Sequence, residues 1–184
     1  MHGWREGSEP LAAGADARLS FEELYELYFS FAWRSLRHLG VPASALEDAA
    51  QEVWMVVHRR LGSFEQRSGP RTWLFGIALN VARNRRRGER RAPQMQPLSE
   101  HVVSARPDPE GMRAGQEAWG KMQSFLQTLD EQRRAVFVSS LLEQLSAAET
   151  AEATGLDAAT VYHLVRRLRR SFKAYLAQLE GTER

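Results

Sequence analysis

Three groups of side chains have types and spacings fit for chemistry, and in each case it is the chemistry of binding. Asp48, Gln51 and Glu52 recur at intervals of three and four, which puts them on one face of a helix. An acidic, amide-bearing face of this kind docks on a basic protein surface. Arg83, Arg85, Arg86, Arg87, Arg90 and Arg91 crowd together against the single acid Glu89, and such a run grips phosphates. Arg166, Arg167, Arg169, Arg170 and Lys173 form a second basic set with no acid among them. Arginines on a helix can pair with guanine edges and phosphates in a major groove.

Catalytic chemistry fits poorly. His2, His38, His58, His101 and His163 are scattered without the spacing of metal ligands. The chain has no cysteine, which excludes disulfides and thiolate chemistry. No glycine-rich phosphate loop with lysine occurs, and no Ser/His/Asp pattern. The expectation is a non-enzyme with no cofactor, no metal and no small-molecule substrate. The formal net charge is only +2, so charge placement matters more than its total. Acids gather at Glu22, Glu23, Glu26, Glu47, Asp48 and Glu52, away from both arginine sets. Separated patches suggest two kinds of partner, one protein and one nucleic acid.

The elements that must position these groups are helices. Ser20 to Glu23 has the form of a capping box, and Phe21, Leu24, Tyr28, Phe31 and Leu39 follow near helical spacing until Gly40 and Pro42. Ser44 to Glu47 has the same form and opens a helix carrying Ala50, Val53, Trp54, Val57 and Leu61, with Gly62 as its cap. Pro70 suits the first turn of a third helix, buried through Trp73, Leu74, Ile77, Ala78 and Val81. Pro93, Pro97, Pro107 and Pro109 punctuate a stretch poor in large apolar residues, read as an extended linker over 92–117. It leaves the units on either side free to move.

Helices resume with Trp119, Met122, Phe125 and Leu126. Thr128 to Glu131 and Ser146 to Glu149 both read as capping boxes. Asp157 is the expected cap of a final helix in which Val161, Leu164 and Leu168 pack and the arginines face outward. A short helix ending at Gly155, a turn and a longer basic helix make a helix-turn-helix. No strand signal appears. The fold expected is all-α, with two small helical domains: 1–19 leader, 20–91 first domain, 92–117 linker, 118–178 second domain, 179–184 tail. Hydrophobic content of 43% suffices for real cores. The longest wholly apolar run, Val53 to Val57, falls far short of the roughly 20 residues of a membrane span. The N-terminus has no run fit for a signal peptide, so a soluble cytoplasmic protein without membrane insertion is expected.

The sequence Asp48-x-x-Gln51-Glu52, followed by Trp73-Leu74-x-x-Ile77-Ala78-x-Asn80, resembles region 2 of bacterial sigma-70 family factors. The helix-turn-helix resembles region 4 of the same family. The short chain is similar to the extracytoplasmic-function group. The resemblance implies a factor that binds core RNA polymerase, directs it to a subset of promoters and assists melting of the −10 element. It implies that Asp48, Gln51 and Glu52 dock on the polymerase's largest subunit. It places Phe64, Gln66 and Arg67 in a loop that takes a flipped −10 base, with Phe64 an inward plug. Asn80, Arg83, Arg86 and Arg87 then flank the opened strand, and Thr160, Tyr162, His163, Arg166, Arg167 and Arg170 meet the −35 duplex. An anti-sigma factor is a further partner the family allows.

Two features depart from the family. Members commonly carry Thr-Val-x-Ser-Arg where this chain has Thr160-Val161-Tyr162-His163-Leu164, so a base preference does not carry over. Thr150 stands where an apolar residue is usual. The alternative reading is a helix-turn-helix regulator whose N-terminal helices serve oligomerisation or sensing. The Asp48 face and the Trp73 motif discriminate, since such a regulator needs neither.

Overall fold

The computed structural model describes residues 19–64, 68–89 and 109–182, with side chains described up to Arg87 and Gly88 in the second stretch and for 118–181 in the third. Every element among the described residues is helical. In chain order they are α1 (Phe21–His38), α2 (Ala43–Arg60), a 3-10 turn (Leu61–Ser63), α3 (Pro70–Glu89), α4 (Pro109–Thr128), α5 (Glu131–Phe137), a π turn (Val138–Leu142), α6 (Ala147–Thr154) and α7 (Ala158–Thr182). Gln66, Arg67, Arg90 and the stretch 90–108 lie outside the described residues.

The local signals explain most boundaries. The Ser20 hydroxyl accepts from the Glu23 N–H at 3.1 Å, and the Glu23 carboxylate accepts from the Ser20 N–H at 2.7 Å. Two orphan donors of the first turn are thereby satisfied. After Leu39, Gly40 turns with φ +94°, a conformation that favours glycine. A Cβ there would also run into the guanidinium of Arg134.

Three expected caps are corrected. The box at Ser44 and Glu47 does not form: α2 begins at Ala43 behind Pro42, which offers no side-chain cap. The fixed φ of Pro42 and the bond from Val41 N–H to Leu36 oxygen start the helix early, leaving Ser44 inside the first turn. Gly62 takes no left-handed turn, because the chain tightens into the 3-10 turn instead. Asp130, not Thr128, caps α5, its carboxylate accepting from Arg133 N–H at 2.8 Å. The Thr128 hydroxyl donates back to the Phe125 oxygen within α4. The stretch read as linker is also shorter than expected, since α4 already begins at Pro109.

α3 is the central element. Leu74, Phe75, Ile77, Ala78, Leu79, Val81 and Ala82 are all buried, on more than one side of the helix. It packs against α1 and α2 on one flank and α6 on the other. Each fully buried large apolar side chain contributes about 1.5–3 kcal/mol, so Leu74, Phe75 and Leu79 anchor both flanks. Trp73, expected in the core, is half-buried at the rim.

The N-terminal and C-terminal helical halves are packed on each other, and their buried side chains form one contiguous cluster from Leu24 to Leu168. The halves come close at Gly76, where a Cβ would lie in ordinary contact, 3.7 Å from the main-chain oxygen of Ala153 in α6. Polar bonds cross the same seam, as described next.

Candidate functional site

The residues of the first expected face are not equally placed. Asp48 and Gln51 are exposed on α2, while Ala49, Ala50 and Val53 are buried behind them. Glu52 is half-buried and accepts from Arg85 Nε at 3.3 Å. Met55 extends the strip one step further along the helix and is 52% exposed. Sequence reading had assigned Met55 to an apolar run. Its position seven residues after Asp48 was the signal that could have found it.

Two aromatic rings meet between the end of the 3-10 turn and α3. Phe64 stacks on Trp73 with centroids 4.4 Å apart and planes 23° from parallel. That fits Phe64 as a plug, with Trp73 half-buried as its platform. Asn80 is exposed one turn before the arginine run.

The arginines of that run are not equivalent. Arg87 is exposed. Arg83 donates through Nε to Glu131 at 2.9 Å, and Arg86 lies 3.9 Å from the same carboxylate. Arg85 is held by Glu52. Glu131 comes from α5, so a carboxylate of the C-terminal half sits on two guanidinium groups of the N-terminal half.

Arg134 lies beside this pair and is itself buried. Its guanidinium donates to the main-chain oxygens of Leu126, Leu39 and Leu129. Burial, and then the neighbouring Arg86 charge, lower its pKa. Helix-end carbonyls supply the acceptors such a buried cation needs.

The helix-turn-helix of α6 and α7 forms as its local signals require. The Ser146 and Glu149 box caps α6, and Gly155 ends it with φ +74°. Hydrogen bonds from Ser146, side chain and then backbone, hold the Glu149 carboxyl below the usual carboxylate range. The Asp157 carboxylate caps α7, accepting from the Thr160 N–H at 2.8 Å and hydroxyl at 2.6 Å. Those bonds, that of the Thr160 side chain foremost, lower the Asp157 pKa. Thr160 is half-buried with its hydroxyl committed to this cap, so its contribution to a duplex is positional. Val161 and Leu168 are buried and Leu164 half-buried. Tyr162, His163, Arg166, Arg167 and Arg170 are all exposed, Tyr162 by 61%. A basic, aromatic-bearing helix face presented to solvent is what major-groove docking requires.

Sequence reading missed the groups that join the halves. Glu143 is 3% exposed and stands within 3.7 Å of Arg34, 3.3 Å of His38 and 4.0 Å of Arg71. Arg71 also donates to the Glu143 main-chain oxygen at 2.8 Å, and Thr72 donates to Glu149 at 3.2 Å. Glu143 is placed by the π turn, whose widened ladder bonds Glu143 N–H to Val138 oxygen, and by Gln144 at φ +56°. Among the described residues no group of His, Cys, Asp and Glu is arranged to hold a metal ion. Nor is any described helix long and apolar enough to cross a membrane.

Comparison with known proteins gives these faces a context. Residues 22–92 match the family model for Sigma-70 region 2, and residues 120–172 that for Sigma-70 region 4. The ECF RNA polymerase sigma factor SigM of Mycobacterium tuberculosis is 28% identical over 178 residues, covering 96% of this chain and 86% of SigM. The RNA polymerase sigma factor CnrH of Cupriavidus metallidurans is 28% identical over 152 residues, covering 78% of this chain and 79% of CnrH. Two solved structures share the fold. CnrH in complex with the cytosolic domain of CnrY has a TM-score of 0.64 at 23% identity, covering 86% of this chain and 88% of that one. The sigma factor RpoE of Bartonella quintana, in complex with the anti-sigma factor NepR, has a TM-score of 0.66 at 20% identity, covering 85% and 96%.

Proposed function

The chain belongs to the sigma-70 family of RNA polymerase sigma factors, in its extracytoplasmic-function group, and on that premise we propose roles for its individual faces. It binds core RNA polymerase and promoter DNA, and RNA synthesis itself belongs to the polymerase. Asp48, Gln51 and Glu52, extended by Met55, form the surface for core polymerase. Phe64, braced on Trp73, sets the loop in which Gln66 and Arg67 meet a flipped −10 base. Asn80, Arg83, Arg86 and Arg87 grip the phosphates of the opened strand. Tyr162, His163, Arg166, Arg167 and Arg170 face the −35 duplex, with Thr160 fixing the start of their helix. No catalytic residue is assigned.

One observation carries this reading. A single chain presents an exposed acidic-amide strip on α2 and an exposed basic strip on α7, each backed by its own buried residues. Those are the faces of a bridge between a protein machine and DNA. A plain helix-turn-helix regulator has no use for the first, and the region 2 match covers that half of the chain. An anti-sigma factor is a partner class for this chain too, by analogy with the NepR complex.

The test is direct titration of the full-length chain with core RNA polymerase. Replacing Asp48, Gln51 and Glu52 together by alanine is expected to weaken core binding at least about tenfold, roughly 1.4 kcal/mol or more. Helicity and melting temperature should barely move, because the pair lost among the described residues, Glu52 with Arg85, is partly exposed and worth about 0–1 kcal/mol. Unaltered affinity would remove the α2 face from the account.

A further inference from the structure

Three guanidinium groups converge on a small cavity, and one carboxylate answers them. Spacings of three set Arg83 with Arg86 on one face of α3, and Glu131 with Arg134 on one face of α5. Together with Leu79 and Ala82 they line a cavity of about 10 Å³. That is room for about one particle the size of a water molecule. The carboxylate is already committed: it accepts from Arg83 Nε at 2.9 Å and stands 3.9 Å from Arg86 Nη1. Three positive charges against one negative leave an excess of two at the cavity wall.

Arg134 is the least compensated of the three. It is 9% exposed, and its partners among the described residues are the main-chain oxygens of Leu126, Leu39 and Leu129. Carbonyl groups satisfy N–H donors but carry no counter-charge, and a buried charge without one is costly. Each Nη of a guanidinium has two N–H groups, so Nη1 and Nη2 of Arg134 each keep one without an acceptor among the described residues. Gly40 brings a second cation to the same place. A Cβ there would strike Arg134 Nη1 and would stand 3.4 Å from Arg86 Nη2. Two like charges approach one point, and glycine keeps that point clear of side chain.

We propose that this cavity binds one monatomic anion of the size of chloride, held between the guanidinium groups of Arg86 and Arg134. The ion accepts from the N–H groups left over on both and offsets the excess positive charge. A phosphate group is too large for a space of one water, so the site is separate from any contact Arg83 and Arg86 make to DNA from outside. The proposal does not depend on the DNA role of those arginines. Its walls come from α3 and α5 and from the turn after α1, so occupation stabilises the folded chain in proportion to the anion supplied.

The test uses the full-length chain, with sodium chloride exchanged for sodium acetate at constant pH and ionic strength. Broadening of the chloride NMR line reports binding, and thermal unfolding reports its effect on the fold. Saturable broadening is expected. At chloride about tenfold above its dissociation constant, the melting temperature should stand about 3–6 °C above its value in acetate. Arg86→Gln, at a side chain 25% exposed, should weaken chloride binding at least about tenfold and abolish the difference in melting temperature. Glu131→Gln, which removes the one repelling carboxylate, should tighten chloride binding severalfold. The two variants are expected to move in opposite directions, which mere loss of structure would not produce. Equal melting temperatures of the natural chain in the two salts would mean that the cavity holds water, and would overturn the proposal. So would a chloride response in Arg86→Gln equal to that of the natural chain, since the ion would then act elsewhere. Weaker chloride binding by Glu131→Gln, with helicity intact, would overturn it as well.

Discussion

Arg71 donates a 2.8 Å hydrogen bond to the main-chain oxygen of Glu143, a residue 72 positions further along the chain. That bond ties the first turn of α3 to the end of the π turn that follows α5. It brings the Glu143 carboxylate under Arg34, His38 and Arg71, where burial of an acid is tolerable. The His38 Nδ1 and Glu143 Oε1 stand 3.3 Å apart but off hydrogen-bonding geometry, so the cluster is held chiefly by the guanidinium groups.

Gly40 is the glycine on which the seam depends. Its φ of +94° disfavours any side chain, and a Cβ would strike Arg134, whose guanidinium bonds the Leu39 oxygen. Gly40→Ala is expected to destabilise the chain by about 1–3 kcal/mol in urea unfolding. Gly62→Ala, at a site with open space and no positive φ, should be neutral or slightly stabilising, by about 0.4–1 kcal/mol at most. Equal effects at the two sites would contradict the structural account of Gly40.

Thr150 is fully buried in α6 and its hydroxyl has no partner. A buried unsatisfied hydroxyl costs about 1–3 kcal/mol, and valine has nearly its shape. Thr150→Val should therefore raise stability by about 1 kcal/mol without altering DNA affinity. A clear loss of stability would mean that the hydroxyl is satisfied in solution.

Much of this fold was legible because its signals are local. Ser20, Ser146 and Asp157 each cap the helix they precede, and the apolar recurrences of α1, α2 and α7 turn inward as their spacing requires. Where two local patterns competed, the sequence could not choose. Ser44 with Glu47 has the same form as Ser20 with Glu23, yet the tertiary turn through Val41 and Pro42 starts the helix first. Thr128 lost its cap to Asp130 for a similar reason, its hydroxyl being taken by the preceding turn. The faces on α2 and α7 were legible as spacing. The seam was not: Glu131, Glu143 and Arg134 look like any solvated charges until residues 40 or more positions away are brought beside them. Nothing in Val138–Leu142 signals a π turn.

The two basic sets should fail in different ways. Arg87 is exposed on α3 and expected to touch phosphate, so Arg87→Ala should lower DNA affinity on every sequence and reduce the salt slope by roughly one unit. Arg166 is exposed on α7, where a base contact is worth about 1–3 kcal/mol of discrimination at one position. Arg166→Ala and His163→Ala should hurt some −35 variants more than others. Binding measured across a −35 library checks this. A uniform loss for the α7 variants would reduce that helix to a positioning element.

The central claim is that this chain turns core polymerase into a promoter-specific enzyme. The measurement is transcription by purified core polymerase, with and without the chain, from fragments of the source genome in duplex form and with a pre-melted bubble at the mapped start sites. The account predicts new, discrete start sites on duplex templates only when the chain is present. It also predicts their loss when Asp48, Gln51 and Glu52 are replaced by alanine. Co-purification with core polymerase but no discrete starts on either template would contradict it, leaving a chain that binds polymerase without initiating.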